Sequence, residues 1–439
     1  MQRLRYLMKK VLAFCICLFL CGCANKAESK VQTVETAMIE EEHLSEELSD
    51  MQVVETNVKL DFTKEELLAD YDYMWEVLKE NYLYFDILED RGIDVEFLKQ
   101  NTRQQIADSD MDLDDFIAAL ESLFRHMQCF AHLGLLQTDT YEGMYEYYCN
   151  TMAEDESLRA WRTSLENPQT QAVYAYMKEK EPTDDVMKED DGLPQASYDA
   201  VRMAVIFQIP TFNQMYIERD KNFFIDYLES LEGTEVKHII FDITGNGGGS
   251  DYYWKENIVA PFGGSYECVF YVYLKETPLI REYFLEGLTE AMPLSDLPTD
   301  HVLPSFAEDL ELTHFIMMQW TESNDAVFGE DILEAKRWVL VDEKVYSAAD
   351  KFSAFCKATG WATLVGKRTL GDGIGYTPIM DALPNTGLLI RFSGEAGESE
   401  DGLLNTAVGT APDYYTDIKK FEDPLTTCKR LIDAERGNP

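Results

Sequence analysis

A serine at the predicted start of a helix is the candidate nucleophile of this chain. Ser347 lies in the segment Tyr346-Ser347-Ala348-Ala349-Asp350, between a predicted strand over residues 338–341 and a predicted helix over 348–358. A serine in this position often only caps the helix. The same position suits a nucleophile, because the helix dipole and the Ala348 amide stabilise negative charge beside the serine Oγ. Position alone leaves both interpretations open.

A serine nucleophile requires a base, and histidine is scarce in this chain. Of its six histidines, His126 and His132 flank the end of a predicted helix. His132 lies at a junction between helix and loop, Ala131-His132-Leu133-Gly134, and is therefore the candidate base. A lone histidine is more often structural, so this assignment depends on its meeting Ser347 in the fold.

A glycine-rich loop follows another predicted strand. Residues 245–249 read Gly-Asn-Gly-Gly-Gly, after a predicted strand over 236–243. Glycines let backbone amides approach a ligand oxygen closely. The loop lacks the Lys-Ser/Thr of a P-loop and the spacing of the dinucleotide fingerprint. An oxyanion hole and a tight structural turn remain as interpretations.

The elements that would position these residues alternate between strand and helix. Thr63 and Glu66 form a capping-box pattern that predicts a helix over 63–81, and a second helical pattern follows Asp112 over 113–126. The sequence thus predicts an α/β core preceded by a small helical domain. Residues 280–335 show no clear pattern. Strands are predicted over 201–209, 236–243, 338–341, 362–365 and 387–392, with helices over 222–231 and 348–358.

Composition excludes several classes of protein. The 439 residues hold 81 Asp and Glu against 38 Lys and Arg, a net charge of −43, which argues against sequence-independent nucleic-acid binding. The chain is 46% hydrophobic and 12% aromatic, enough to bury a core. Its 9 cysteines form no zinc-binding or disulfide pattern, so we expect mostly buried thiols and no metal site.

The first 57 residues have the composition of an export signal and a tether. A basic segment precedes a twelve-residue apolar run over 11–22, which is too short to span a bilayer. The run ends Leu20-Cys21-Gly22-Cys23, which resembles the lipobox of bacterial lipoproteins, with Cys23 as the lipidated residue. An ordinary signal peptide is the alternative. Residues 23–57 are acidic and without aromatics, typical of a tether. We therefore expect an extracytoplasmic protein, lipid-anchored to the bacterial cell membrane.

In combination, these motifs resemble those of the tail-specific, or C-terminal-processing, serine peptidases. The resemblance is to the branch that includes the tricorn core and is similar to interphotoreceptor retinoid-binding repeats. It implies a ClpP/crotonase-like α/β core, a polypeptide substrate and no metal or organic cofactor. A PDZ module is not expected, since the stretch from 133 to 200 is acidic and favours helix. The matching segments are 70–85, 120–135, 207–249, 339–375 and 409–413, in the order of the family.

The resemblance also implies roles for individual residues. It aligns Ser347 with the family's nucleophile and His132 with its histidine base. The Ala348 amide aligns with one oxyanion donor, and Gly248 or Gly249 with the other. The acid that orients the histidine stays open, with three candidates: Asp372, Asp413 and Glu395.

Two departures from the family pattern bear on activity. The lysine base of tail-specific members falls on Asp372, and the glutamate of the tricorn branch falls on Ala411. Two functions therefore remain: a lipid-anchored serine endopeptidase, or an impaired peptidase fold that binds a peptide or apolar ligand. A Ser347–His132 distance of about 3–4 Å would favour catalysis, and one above roughly 8 Å would favour binding.

The expected organisation has four parts, and no oligomeric state follows from the sequence. The parts are a lipoprotein signal peptide over 1–22, a tether over 23–57, a helical domain with an acidic insertion over 58–195, and the α/β peptidase core over 196–439.

Overall fold

In the computed structural model of the protein, the described residues begin at Val58. The predicted signal peptide, Cys23 and the tether lie outside the described residues, as does most of the acidic stretch near residue 185. Within the described part, every helix is too short or too polar to cross a membrane. The structure describes residues 58–181, 192–287, 291–417, 419 and 422–437.

The N-terminal region is helical, as predicted, and its helices begin at the predicted caps. The Thr63 side chain accepts a hydrogen bond from the Glu66 amide, and the Glu66 side chain accepts one from the Thr63 amide. The Asp112 side chain caps the helix of 113–126 in a similar way, through the Asp115 amide. The helices of this region are α1 (Lys64–Asn81), α2 (Phe85–Asp90), α3 (Val95–Asp108), α4 (Leu113–His126), α5 (Thr138–Met144), α6 (Arg159–Glu166) and α7 (Pro168–Lys180).

The core is built on a six-stranded sheet, which confirms the predicted α/β class. Its central strands are parallel and mostly buried, as expected for a sheet with helices on its faces. The edge strand over 195–199 pairs antiparallel with its neighbour. In spatial order the strands are β13 (Tyr414–Tyr415), β9 (Thr363–Gly366), β8 (Lys336–Val341), β4 (His238–Asp242), β3 (Ala204–Gln208) and β2 (Gln195–Asp199).

A second sheet has four antiparallel strands. Two of its strands lie in the stretch over 280–335, where no clear sequence pattern was found, and its two long strands pair along eleven residues each. Its order is β12 (Glu395–Gly397), β5 (Gly264–Leu274), β7 (His314–Asn324) and β6 (Met292–Pro293).

A third sheet joins the helical region to the core. Strand β1 (Gly134–Leu135) follows the first four helices and pairs antiparallel with β11 (Leu389–Phe392), which pairs in turn with β10 (Ile379–Ala382). Because β1 begins two residues after His132, this pairing fixes the candidate base against the core. The remaining helices are α8 (Ile217–Asp220), α9 (Phe223–Glu229), α10 (Asp251–Trp254), α11 (Pro278–Ile280), α12 (Ser305–Asp309), α13 (Glu330–Leu333), α14 (Ala348–Thr359), α15 (Asn405–Val408) and α16 (Pro424–Glu435).

Candidate active site

Ser347 stands between β8 and α14 with its side chain turned away from the helix. It occupies the N-cap position of α14, yet its hydroxyl makes no capping hydrogen bond. Instead, the Ser347 Oγ lies 3.1 Å from the Nε2 of His132. The Ser347 hydroxyl is therefore placed to donate its proton to a neutral imidazole, the geometry required of an activated nucleophile.

Asp372 lies on the other side of the His132 ring. Its Oδ2 is 2.6 Å from His132 Nδ1 and accepts hydrogen bonds from the Tyr346 hydroxyl (2.7 Å) and the Ser393 hydroxyl (3.0 Å). Its Oδ1 accepts a hydrogen bond from Thr406 Oγ1 at 3.1 Å. The carboxylate thus assigns the imidazole proton to Nδ1 and leaves Nε2 free to accept from Ser347.

The ionisation of Asp372 depends on these partners. Burial by itself would raise the pKa of this carboxyl. The positive charge of a protonated His132, and hydrogen bonds from His132, Tyr346 and Ser393, outweigh burial and hold the pKa of Asp372 below its ordinary value. Asp372 is therefore a carboxylate at neutral pH.

The other two candidate acids lie elsewhere. Asp413 is exposed and accepts hydrogen bonds from Lys357 Nζ at 2.7 Å and the Leu364 amide at 2.8 Å. Glu395 is buried and accepts hydrogen bonds from the backbone amides of residues 376 (2.8 Å) and 394 (3.0 Å). Burial raises the pKa of Glu395 to about 8. Of the three acids, the structure places Asp372 in contact with His132.

The glycine loop lies against the candidate nucleophile. A Cβ at Gly248 would lie 2.9 Å from the Ser347 Cβ and 3.0 Å from the Ala348 amide nitrogen, so this close approach requires glycine. The Gly248 amide already donates to Asn246 Oδ1 at 2.8 Å. The exposed Gly249 amide has no acceptor among the described residues. The Ala348 amide opens α14, where a backbone N–H has no partner within the helix.

Three residues of the site carry unusual backbone angles. Ser347, His132 and Asp372 have φ values of 55°, 57° and 60°, in the left-handed region that non-glycine residues seldom adopt. His132 ends a segment in which Gln128, Cys129 and Ala131 also have positive φ. Residues in such conformations persist only where surrounding structure enforces them, and they cluster at functional sites.

Sequence reasoning missed three polar residues around His132. The Tyr346 hydroxyl accepts the His132 amide at 3.0 Å, and the two rings lie 4.8 Å apart. Ser393 Oγ lies 3.1 Å from His132 Nδ1, and Thr406 contacts Asp372. A signal existed for Ser393 alone, because it follows directly on a predicted strand, where ligand sites of such sheets lie.

Comparisons with known proteins agree with the resemblance found in the sequence. No curated protein matches the chain. Similar solved structures include mature CPAF complexed with lactacystin, at 14% identity, covering 84% of this chain and 97% of that one, with a TM-score of 0.49. A lipoprotein from Streptococcus agalactiae has 10% identity, coverage of 84% and 96%, and a TM-score of 0.43. The tricorn protease has 17% identity, coverage of 54% and 18%, and a TM-score of 0.30. The model of Peptidase family S41 matches residues 203–416, and this region of the chain belongs to that family.

Proposed function

We propose that this chain is a serine endopeptidase in which Ser347, His132 and Asp372 act together. The observation that carries the proposal is the continuous contact from Ser347 Oγ to His132 Nε2, at 3.1 Å, and from His132 Nδ1 to Asp372, at 2.6 Å. The first distance lies in the range that favours catalysis over a binding role without turnover. Membership of the S41 family supports a peptidase independently.

The geometry supports an acyl-transfer mechanism. Ser347 Oγ attacks the peptide carbonyl carbon while its proton moves to His132 Nε2. The imidazolium is stabilised by Asp372 and then returns the proton to the departing amine, which breaks the peptide bond and leaves an acyl-enzyme. Water, activated in the same way by His132, hydrolyses the ester and restores Ser347.

Backbone amides would donate hydrogen bonds to the oxyanion formed in each step. We assign one donor to Ala348, at the positive end of the α14 dipole, and the other to the glycine loop. Gly249 has the unengaged amide, whereas Gly248 would have to release Asn246. Both belong to the proposed oxyanion hole, Gly248 chiefly through its close packing against Ser347.

Loss of the nucleophile tests the proposal. We expect Ser347→Ala to lower the cleavage rate of reduced, denatured casein by at least about 10³-fold. Gel electrophoresis of timed digests measures the rate, and a fluorophosphonate should label only protein that retains Ser347. Ser353→Ala is the matched control, because Ser353 lies in the same helix and donates to the Ala349 carbonyl. Equal turnover by Ser347→Ala and the wild type would refute the proposal.

The proposal includes export and lipid anchoring at Cys23, with residues 24–57 as a tether. Its support is the basic and apolar leader, the cysteine at the end of the apolar run, and the acidic composition that follows. We expect Cys23→Ala to move the protein from the membrane fraction to the soluble fraction of the producing cells, as measured by immunoblot. Retention of the variant in the membrane would contradict anchoring at this residue.

A further inference from the structure

Beside the proposed active site lies Arg391, a cation that has no ionic or hydrogen-bonding partner in the part of the chain that the structure describes. Among the described residues, the guanidinium groups of Arg125, Arg159 and Arg391 make neither an ion pair nor a hydrogen bond. Arg125 and Arg159 are exposed, so water can solvate their charge. Arg391 is half-buried in β11, between buried Ile390 and Phe392. A charge withdrawn from water without a partner is costly, so the absence of a counter-ion requires an explanation.

The carboxylate of Asp372, whose negative charge acts on Arg391, already has other hydrogen-bonding partners. Asp372 attracts the charge of Arg391, but it has no contact with the guanidinium and accepts from His132 and three hydroxyl groups. Burial lowers the pKa of Arg391, which is the sign of a cation short of stabilising partners. Among the described residues, no anion contacts this guanidinium, so it is free to bind one.

The position of Arg391 places it on the catalytic side of the third sheet. Side chains alternate along a strand, so Arg391 shares a face of the chain with Ser393, two residues further on. Ser393 Oγ contacts His132 Nδ1. Successive residues on one face lie roughly 7 Å apart along the strand, within the length of a peptide bound at Ser347.

Space for a ligand lies next to Arg391. Its partner across the antiparallel pair is Gly134, and a Cβ built on Gly134 would meet no atom within 4 Å. Directly opposed residues project to the same face of a sheet. The absence of a side chain at 134 therefore leaves open room on the face of the sheet that carries Arg391, two residues from His132.

We propose that Arg391, with the open space over Gly134, forms a subsite for a carboxylate of the peptide substrate. An arginine fork matches a carboxylate in a bidentate fashion, and the energy gained would favour such substrates by about 10- to 100-fold. The carboxylate comes from the C-terminus of the peptide or from an acidic side chain. In a chain of net charge −43, a local cation is what allows an acidic group to approach. The inference rests on the proposed peptidase function.

Binding to an inactive variant separates this inference from catalysis. Degenerate decapeptide libraries are prepared as free acids or amides, and with Glu or Gln fixed at each position in turn. We expect full-length Ser347→Ala protein to show one of two preferences, each of about 10-fold or more. It retains more of the free-acid peptides than of the amides, or more of the Glu peptides than of the Gln peptides at one position. Mass spectrometry of the retained peptides measures both ratios. The first result identifies a terminal carboxylate and the second an acidic side chain. Retention without either preference would overturn the subsite, whether or not the wild type cleaves.

Variants at the subsite assign the preference to Arg391. We expect Arg391→Gln, added to Ser347→Ala, to abolish the preference, and Arg391→Lys to restore part of it. Gly134→Leu fills the open space without touching the charge and should also abolish it, which covers the case of Arg391→Gln failing to fold. Arg159→Gln removes an equal charge elsewhere and should leave the preference unchanged. A preference that survives both Arg391→Gln and Gly134→Leu would overturn the assignment.

In the active protein, the same libraries distinguish a subsite from a structural role. Arg391→Gln should lower kcat/KM for carboxylate-bearing peptides and leave kcat/KM for neutral ones nearly unchanged. An equal fall for both kinds of peptide would show that Arg391 only supports Asp372, and would overturn the inference while leaving the peptidase proposal intact.

Discussion

Asp372 and Glu395 are two carboxyl groups with similar burial and opposite ionisation. The Asp372 side chain is 6% exposed and Glu395 is 3% exposed. The pKa of Asp372 lies below its ordinary value, whereas the pKa of Glu395 is raised to about 8 by burial, with a further contribution from the negative charge of Asp372. At neutral pH one group is a carboxylate and the other is mainly protonated.

The partners of the two groups explain the difference. Asp372 contacts an imidazole and three hydroxyl donors, whereas Glu395 accepts from two backbone amides. Lys351 favours the charged form of Glu395 only weakly, since its Nζ donates to Asp251 (2.8 Å) and the residue 375 carbonyl (2.7 Å). Burial therefore does not decide charge in this site. Direct hydrogen bonds from an imidazole and from a set of hydroxyl groups do.

The largest effect that tests this comparison concerns Asp372. In Asp372→Asn, the amide can donate a hydrogen bond to Nδ1, which shifts the imidazole proton to Nε2 and removes the acceptor for Ser347. We expect kcat for casein cleavage to fall by about 10³- to 10⁴-fold while the fold is kept. Initial rates together with circular dichroism measure both quantities.

Asp413→Asn is the matched control for that substitution. It makes the same change at an acid that contacts Lys357 on the surface and not His132, so activity should be retained. If Asp372→Asn kept most of the wild-type rate, Asp372 would not be the orienting acid.

A smaller effect concerns the proton held by Glu395. The native state binds this proton up to about pH 8, whereas an ordinary glutamate, with a pKa of 4.5, releases it on unfolding. The contribution of Glu395 to stability is therefore present at low pH and is lost as pH rises from 4.5 through about 8. We expect the unfolding free energy of Glu395→Gln, relative to the wild type, to rise over this range by on the order of a few kcal/mol. Urea denaturation at about pH 5 and about pH 8.5 measures it.

Glu311→Gln provides the comparison for that measurement. Glu311 is paired with Lys275 at the surface, and a hydrogen bond from that lysine lowers its pKa, so it does not titrate in this range. The unfolding free energy of Glu311→Gln, relative to the wild type, should stay the same between about pH 5 and about pH 8.5. A level profile for Glu395→Gln as well would show that Glu395 is ionised in the native state and would remove the contrast with Asp372.

Local features of the fold were predictable, and long-range contacts were not. The caps at Thr63 and Asp112 depend on residues three positions away, so the sequence displays them. Strands β5 and β7 were not placed, because each is stabilised by a partner about 50 residues away and not by a local signal. The same holds for the surroundings of His132, which contacts Ser393 across 261 residues and Tyr346 across 214.

The resemblance to the family predicted more of the site than local sequence patterns did, but it did not identify the acid that orients His132. It identified Ser347 and His132 as the candidate pair, which the structure brings within hydrogen-bonding distance. It left three acids open, because the usual glutamate position holds Ala411. Asp372 reaches the imidazole only through the tertiary arrangement of strands and loops, which local sequence patterns do not reveal.

The left-handed backbone at Ser347, His132 and Asp372 has a consequence for how the protein loses activity. Each such residue costs on the order of 1 kcal/mol, and the tertiary contacts around it supply that energy. For His132 these contacts include the two-residue strand β1, a short attachment beside the six-stranded sheet. Partial opening along β1 would relieve the strain and separate the base from the nucleophile while the main sheet remains folded. We therefore expect the proposed catalytic geometry to be lost before the main sheet unfolds.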